Sequence, residues 1–105
     1  MFEVIKDYVI EEEIDLHGLS IEEALYFAEK FLHESLLQGK SCIKIIHGAR
    51  RLGGTRGTIR ENLYRLFKTK LKRSIAHFQM AKFSEGGSGA TVLFIKKIES
   101  KRRIP

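Results

Sequence analysis

A single cysteine, Cys42, occurs in the 105 residues. No disulfide can therefore close within the chain, and no cysteine-based metal cluster can form. Such a chain suits a reducing compartment, and a cytoplasmic location is expected. No apolar run approaches the roughly 20 residues of a membrane span, so a membrane is not the expected partner. The first seven residues lack the basic start and long apolar core of a secretory leader. Internal repeats and low-complexity segments are missing too. So are several catalytic signatures. The glycine spacing after His47 fails for a Walker phosphate loop, and no Lys-Ser/Thr pair follows it. Ser88 has no Gly-x-Ser-x-Gly context, which makes it a poor nucleophile.

Positive charge, by contrast, is plentiful. Nineteen Lys and Arg face thirteen Asp and Glu, for a net charge of +6. That excess favours nucleic acid or an acidic surface as partner. With 43% hydrophobic residues the chain can bury one core, and one domain is expected. Its core should span about residues 13–97, with an N-terminal arm over 1–12 and a basic tail over 98–105.

The chain is organised around residues 43–61. Ile43 to Ile46 reads as a short buried strand. His47 to Gly57 is a loop rich in Gly and Arg, and Thr58 with Glu61 forms a capping box that opens a helix. A strand, a glycine loop and a helix N-terminus together can hold a phosphate. Arg50, Arg51 and Arg56 add charges that fork onto phosphate oxygens. A solvated surface hairpin is the plainer alternative.

Elsewhere, Ile14 to Gly18 reads as a strand ending in a turn. Alternation places Asp15 and His17 on one face, and Ile14 and Leu16 on the other. Ser20 and Glu23 cap a helix whose stripe is Ile21, Leu25, Ala28, Leu32 and Leu36, widened by Phe27 and Phe31 and ended by Gly39. A second helix over about 59–70 buries Ile59, Leu63, Leu66 and Phe67. Residues 74–81 alternate, which predicts Ala76, Phe78 and Met80 inward and Ile75, His77 and Gln79 outward. A second glycine loop, Gly86 to Gly89, precedes an apolar strand over Ala90 to Ile95. The order predicts a two-layer α/β sandwich: a four-stranded mixed sheet with two helices on one face. Its first two strands should be a parallel pair and its last two an antiparallel hairpin.

If the parallel pair forms, Asp15, His17 and His47 converge where open α/β sheets bind ligands. Asp15 could orient an imidazole for acid–base work. Each histidine taken singly is more simply a structural strand-end residue. The three also make a candidate metal set, though their spacing fits no tight zinc signature.

Three motifs carry a family resemblance. Ile14-Asp15-Leu16-His17-Gly18 resembles the Leu-Asp-Leu-His-Gly motif of the Smr domain. Ile45-Ile46-His47-Gly48, with Gly57-Thr58-Ile59-Arg60 downstream, resembles its His-Gly-x-Gly region and following helix. Gly86-Gly87-Ser88-Gly89-Ala90-Thr91-Val92 resembles its closing Gly-Gly-x-Gly-Ala-Thr segment. An arginine stands where His-Gly-x-Gly has its second glycine, and the loop is longer. The resemblance implies a sandwich similar to the C-terminal domain of translation initiation factor three. It implies binding of DNA or RNA, or of the ribosome, with endonuclease activity in several relatives. Asp15, His17 and His47 would then be catalytic, with one histidine as base and the other as acid. Gly48, Arg50, Arg51, Arg56, Arg60, Lys82, Gly87, Ser88 and Gly89 would hold the nucleic acid. RNA could be cut without metal, because its 2′-OH is a built-in nucleophile. DNA would need an activated water and a divalent ion such as magnesium.

Overall fold

The computed structural model describes residues 4–49 and 57–97. It contains β1 (Glu12–Asp15), α1 (Ile21–Leu37), β2 (Cys42–Ile46), α2 (Ile59–Lys68), β3 (Ile75–Met80) and β4 (Ala90–Ile95). The sheet order is β1-β2-β4-β3. β1 and β2 are parallel, with Asp15 opposite Ile46. The pairs β2–β4 and β3–β4 are antiparallel. The α/β sandwich with a four-stranded mixed sheet is thus the one expected.

Local chemistry sets the helix boundaries. Ser20 caps α1 and Thr58 caps α2, each by a reciprocal capping box with the glutamate three residues on. Gly39, at φ +75°, turns the chain out of α1. Both helices pack on the sheet face formed by Ile43 and Ile45 of β2 and Leu93 and Ile95 of β4. The buried line of α1 is Ile21, Ala24, Ala28 and Leu32, rotated slightly from the expected stripe. Small alanines face the sheet and let the helix lie close. Leu25 and Leu36 are only partly buried, and Phe27 is exposed rather than part of the stripe.

β3 departs from simple alternation. Ile75 pairs with Ile95 and His77 with Phe94, so Ala76 is an extra, bulged residue. The bulge turns Ile75 onto the same face as Phe78. Ile75 is buried in the core, while Ala76 and Met80 are exposed, correcting their inward assignment.

Residues 4–11 form no strand. They lie along the other sheet face, where Tyr8 and Ile10 pack with Cys42, Ala81, Ala90, Val92 and Phe94. Tyr8 meets Phe94 edge-on at 5.4 Å between centroids. Glu11 accepts from the backbone N–H of Ser41 and of Cys42, which holds its carboxyl below the usual range. The Tyr8 hydroxyl donates to Glu85 Oε1 at 2.6 Å; burial first, then that carboxylate, push its pKa up to about 12.

Candidate nucleic-acid interface

One end of the sheet gathers all three polar motifs. β1 and β2 both finish there, and β4 begins there after the loop from β3. Leu16 N–H donates to Ile46 O, which sets the turn after β1 beside the turn after β2. The backbone N–H groups of His47 and Gly48 both donate to Gly89 O, each at 2.9 Å. The two glycine loops are therefore hydrogen-bonded to each other. A side chain at Gly48 would meet the His17 Cβ at 3.4 Å, so all three motifs touch.

Strand parity divides the two histidines. Asp15 shares the parity of Glu13, which pairs with Lys44 at 3.3 Å on the sheet face away from the helices. Beyond the strand end, the His17 ring folds back on Asp15. Its Nδ1 lies 2.5 Å from Asp15 Oδ1, and its backbone N–H donates to the same oxygen at 3.1 Å. These bonds from His17 draw the Asp15 carboxyl below its ordinary pKa, so it stays ionised. An ionised carboxylate can only accept, so Nδ1 carries the proton. The side chains are 68% and 52% exposed, leaving His17 Nε2 open to solvent.

His47 has the parity of Ile43 and Ile45 and turns under the helices, where it is 3% exposed. Its Nδ1 lies 2.8 Å from Gly48 O and its Nε2 2.8 Å from Thr91 Oγ1. The carbonyl can only accept, so Nδ1 is protonated; Nε2 of the neutral ring then accepts from the Thr91 hydroxyl. Thr91 Oγ1 in turn lies 3.1 Å from the Tyr64 hydroxyl, which must be the donor. Burial lowers the His47 pKa and the Arg60 charge adds to the effect, while the Gly48 carbonyl opposes it. With both nitrogens engaged, His47 cannot join Asp15 and His17 as a metal ligand. Among the described residues, no three His, Cys, Asp or Glu side chains form a metal cluster.

The proposed phosphate contacts fall unevenly. Arg60 Nη1 donates to Ser88 O at 3.3 Å, setting the α2 N-terminus against the second glycine loop. Ser88 is exposed there. The Lys82 ammonium sits 4.8 Å over the Tyr8 ring, on the arm side of the rim. The N–H groups of Gly86, Gly87 and Gly89 are spent within their own turn, on Phe83 O, Lys82 O and Gly86 O. That loop thus shapes the surface rather than offering those donors to an anion. Arg50, Arg51 and Arg56 lie outside the described residues, between Ala49 and Gly57.

Sequence reasoning passed over Thr91 and Tyr64. Thr91 stands in the quoted Gly-Ala-Thr segment, and its partnership with His47 needs the β2–β4 register to be visible. His33 of α1 and His77 of β3 take no part in the rim: His77 Nε2 lies 2.9 Å from Gln79 Oε1.

A family model described as the Smr domain matches residues 14–96. The putative endonuclease MutS2 of Bacillus subtilis (strain 168) is 38% identical over 91 residues, covering 87% of this chain and 11% of that protein. Endonuclease MutS2 of Geobacillus sp. (strain WCH70) is 35% identical over 91 residues, with the same coverage. The chain thus spans 11% of the length of these relatives. The crystal structure of the Smr domain of Thermus thermophilus MutS2 superposes with a TM-score of 0.67 at 31% identity, covering 81% of this chain and 98% of that one. YdaL, a stand-alone small MutS-related protein from Escherichia coli, shares the fold at a TM-score of 0.71 and 24% identity, over 81% of this chain and 64% of that one.

Proposed function

Because the chain belongs to the Smr domain family, we propose that it binds nucleic acid at the rim and cuts RNA there, with His17 as the reacting group. The observation that carries this reading is the exposed Asp15–His17 pair. Its proton is fixed on Nδ1 and its Nε2 is open, at the rim where the three motifs meet.

The chemistry follows from that tautomer. His17 Nε2 takes the proton from a ribose 2′-OH. The freed 2′-oxygen attacks phosphorus and the bond to the 5′-oxygen breaks, leaving a 2′,3′-cyclic phosphate. The departing 5′-oxygen takes a proton from solvent, which reaches this exposed rim. Asp15 holds the ring and favours the imidazolium as it forms. Arg60, with Arg50, Arg51 and Arg56 of the preceding loop, neutralises phosphate charge. His47 is a positioning residue: through Gly48 and Thr91 it holds the first glycine loop against the second.

Inward placement of His47 favours a second reading, a module that binds nucleic acid or the ribosome without cutting. Incubation with end-labelled single- and double-stranded RNA and DNA, with magnesium or with EDTA, separates the two. Cleavage of RNA that survives EDTA, and that a single 2′-deoxy substitution blocks at its own position, is the expected result. Affinity without cleavage would select the second reading. Binding should weaken with salt by roughly 0.7–0.9 in log–log slope per phosphate contact. Replacing Arg50, Arg51 or Arg56 by alanine should flatten that slope by about one unit each. Unchanged slopes in all three variants would move the surface to the basic stretch Lys68 to Arg73 or to the basic tail over 98–105.

A further inference from the structure

Phe83 is 96% exposed, the highest value for any large hydrophobic side chain among the described residues. A scattered exposed apolar residue is ordinary and needs no explanation. Phe83 differs by its place and by how firmly it is held. It opens a 3₁₀ turn (Phe83–Glu85) in the loop between β3 and β4, the loop that carries Gly86 to Gly89. That loop reaches the first glycine loop through Gly89 O. A Cβ at Gly87 would meet the Phe83 ring edge at 3.9 Å, so the ring stands beside Gly87. Next along the loop, Ser88 is exposed and its carbonyl receives the Arg60 guanidinium.

The turn is well anchored. Glu85 N–H donates to Lys82 O at 2.8 Å and Gly87 N–H to the same oxygen at 2.9 Å. Glu85 is held from below by the Tyr8 hydroxyl, and Lys44 Nζ donates to the Glu85 carbonyl at 2.9 Å. The anchored turn therefore presents an uncovered aromatic ring in the loop at the rim, beside Gly87, next in sequence to Lys82 and close in sequence to Ser88, which receives Arg60. An exposed flat ring in a loop that also carries Lys82 and receives Arg60 is what an unpaired nucleobase and its phosphates require. A paired base has both faces covered by its neighbours and cannot take the ring.

We infer that Phe83 is a stacking platform for an unpaired base of the nucleic acid bound at the rim, so that the ligand is single-stranded at that point. This rests on the nucleic-acid-binding reading above and narrows it to one substrate class. The ring positions substrate; it takes no part in proton transfer.

The test uses a fluorescein-labelled 2′-O-methyl RNA of twelve nucleotides, alone and as a duplex with its complement. This backbone cannot be cut by 2′-OH attack, so binding is read by itself. Wild type, Phe83→Leu and Phe83→Trp are titrated by fluorescence anisotropy and checked for self-association by sedimentation. Phe83→Leu, which keeps an apolar side chain without a π-face, is expected to weaken single-strand binding roughly 5- to 150-fold. Duplex binding should hardly change, and Phe83→Trp should retain or improve single-strand affinity. All three should melt at the same temperature, because the ring packs on almost nothing. Equal single-strand affinity for wild type and Phe83→Leu would overturn the stacking role and leave the binding surface standing. Absence of any binding by wild type, to strand or duplex, would remove both readings. Self-association of wild type that Phe83→Leu abolishes would assign the ring to a protein contact and overturn the inference.

Discussion

His17→Ala is expected to slow RNA cleavage by roughly 10²–10⁴-fold, the usual contribution of a positioned acid–base group. Single-strand affinity should stay within about twofold, because phosphate and base contacts lie on other residues. The melting temperature should stay within a degree or two, since the ring is exposed and its pairing with Asp15 is screened by water. Asp15→Asn probes the same unit differently. The amide can hold the ring through its oxygen or its nitrogen, so the proton is no longer fixed on Nδ1 and the supporting charge is gone. A loss approaching that of His17→Ala is expected, again with binding preserved. Single-turnover rates on a labelled RNA, with anisotropy and thermal melts on the same preparations, provide the comparison. Wild-type cleavage by the His17→Ala protein would rule out the catalytic role of His17 and point to a contaminating nuclease as the source.

His47 predicts the opposite pattern, with a large effect on stability. Its ring fills a buried site and satisfies Gly48 O and Thr91 Oγ1. His47→Ala leaves a cavity and two groups short of a partner, at a cost of about 2–4 kcal/mol. For a domain of this size that lowers the melting temperature by roughly 10 °C or more. The pH dependence carries a definite sign. The folded His47 pKa lies below its ordinary value of 6.5. Between those two values the unfolded chain holds the proton and the folded chain does not. Stability from this group is therefore complete above about pH 6.5 and is lost as the pH falls toward the folded pKa. The contribution cannot exceed about 1.4 kcal/mol per pH unit for one proton. Urea unfolding between pH 5 and 7.5 should show this acid-side decline in wild type and a flatter profile in His47→Gln. Identical slopes would show that His47 is not the neutral buried group described above. The Asp15 carboxyl loses its contribution only at lower pH, below the ordinary carboxylate value, so the two windows are separable.

Features encoded by neighbouring residues were legible without the structure. The two capping boxes, the Gly39 stop and the parity of Ile14 and Leu16 against Asp15 and His17 all lie within a few residues. The parallel pairing of β1 with β2 followed from the helix between them. What failed depended on partners distant in sequence. The bulge at Ala76 arises from how β3 meets Ile95 and Phe94, so alternation misassigned Ile75, Ala76 and Met80. The rotation of α1 reflects the close fit of Ala24 and Ala28 on the sheet, whereas a count of large apolar residues favours Leu25 and Phe27. At the site, the inward turn of His47 was present in the parity of Ile43 and Ile45. Its meaning became clear only with Thr91 across the β2–β4 register and Tyr64 above it. Phe83 carries no local pattern at all; only its exposure at the rim distinguishes it.

The arm over residues 4–11 lies outside the span matched by the family model, which begins at residue 14. It joins β2 by backbone through Glu11 N–H to Cys42 O, and its other contacts are side-chain ones. It can therefore peel away without breaking a strand pair of the sheet, as a separate cooperative unit. Cys42 lies beneath it, its thiol kept protonated by burial and by the charges of Glu11 and Glu85, with a pKa pushed up to about 11. In the closed form that thiol is buried and protonated; detachment of the arm would uncover it and take Glu11 away, while Glu85 stays on the β3–β4 loop. The one thiol of the chain is thus placed to report on the arm: any opening of residues 4–11 with the rest of the domain folded is expected to raise its modification rate at constant pH.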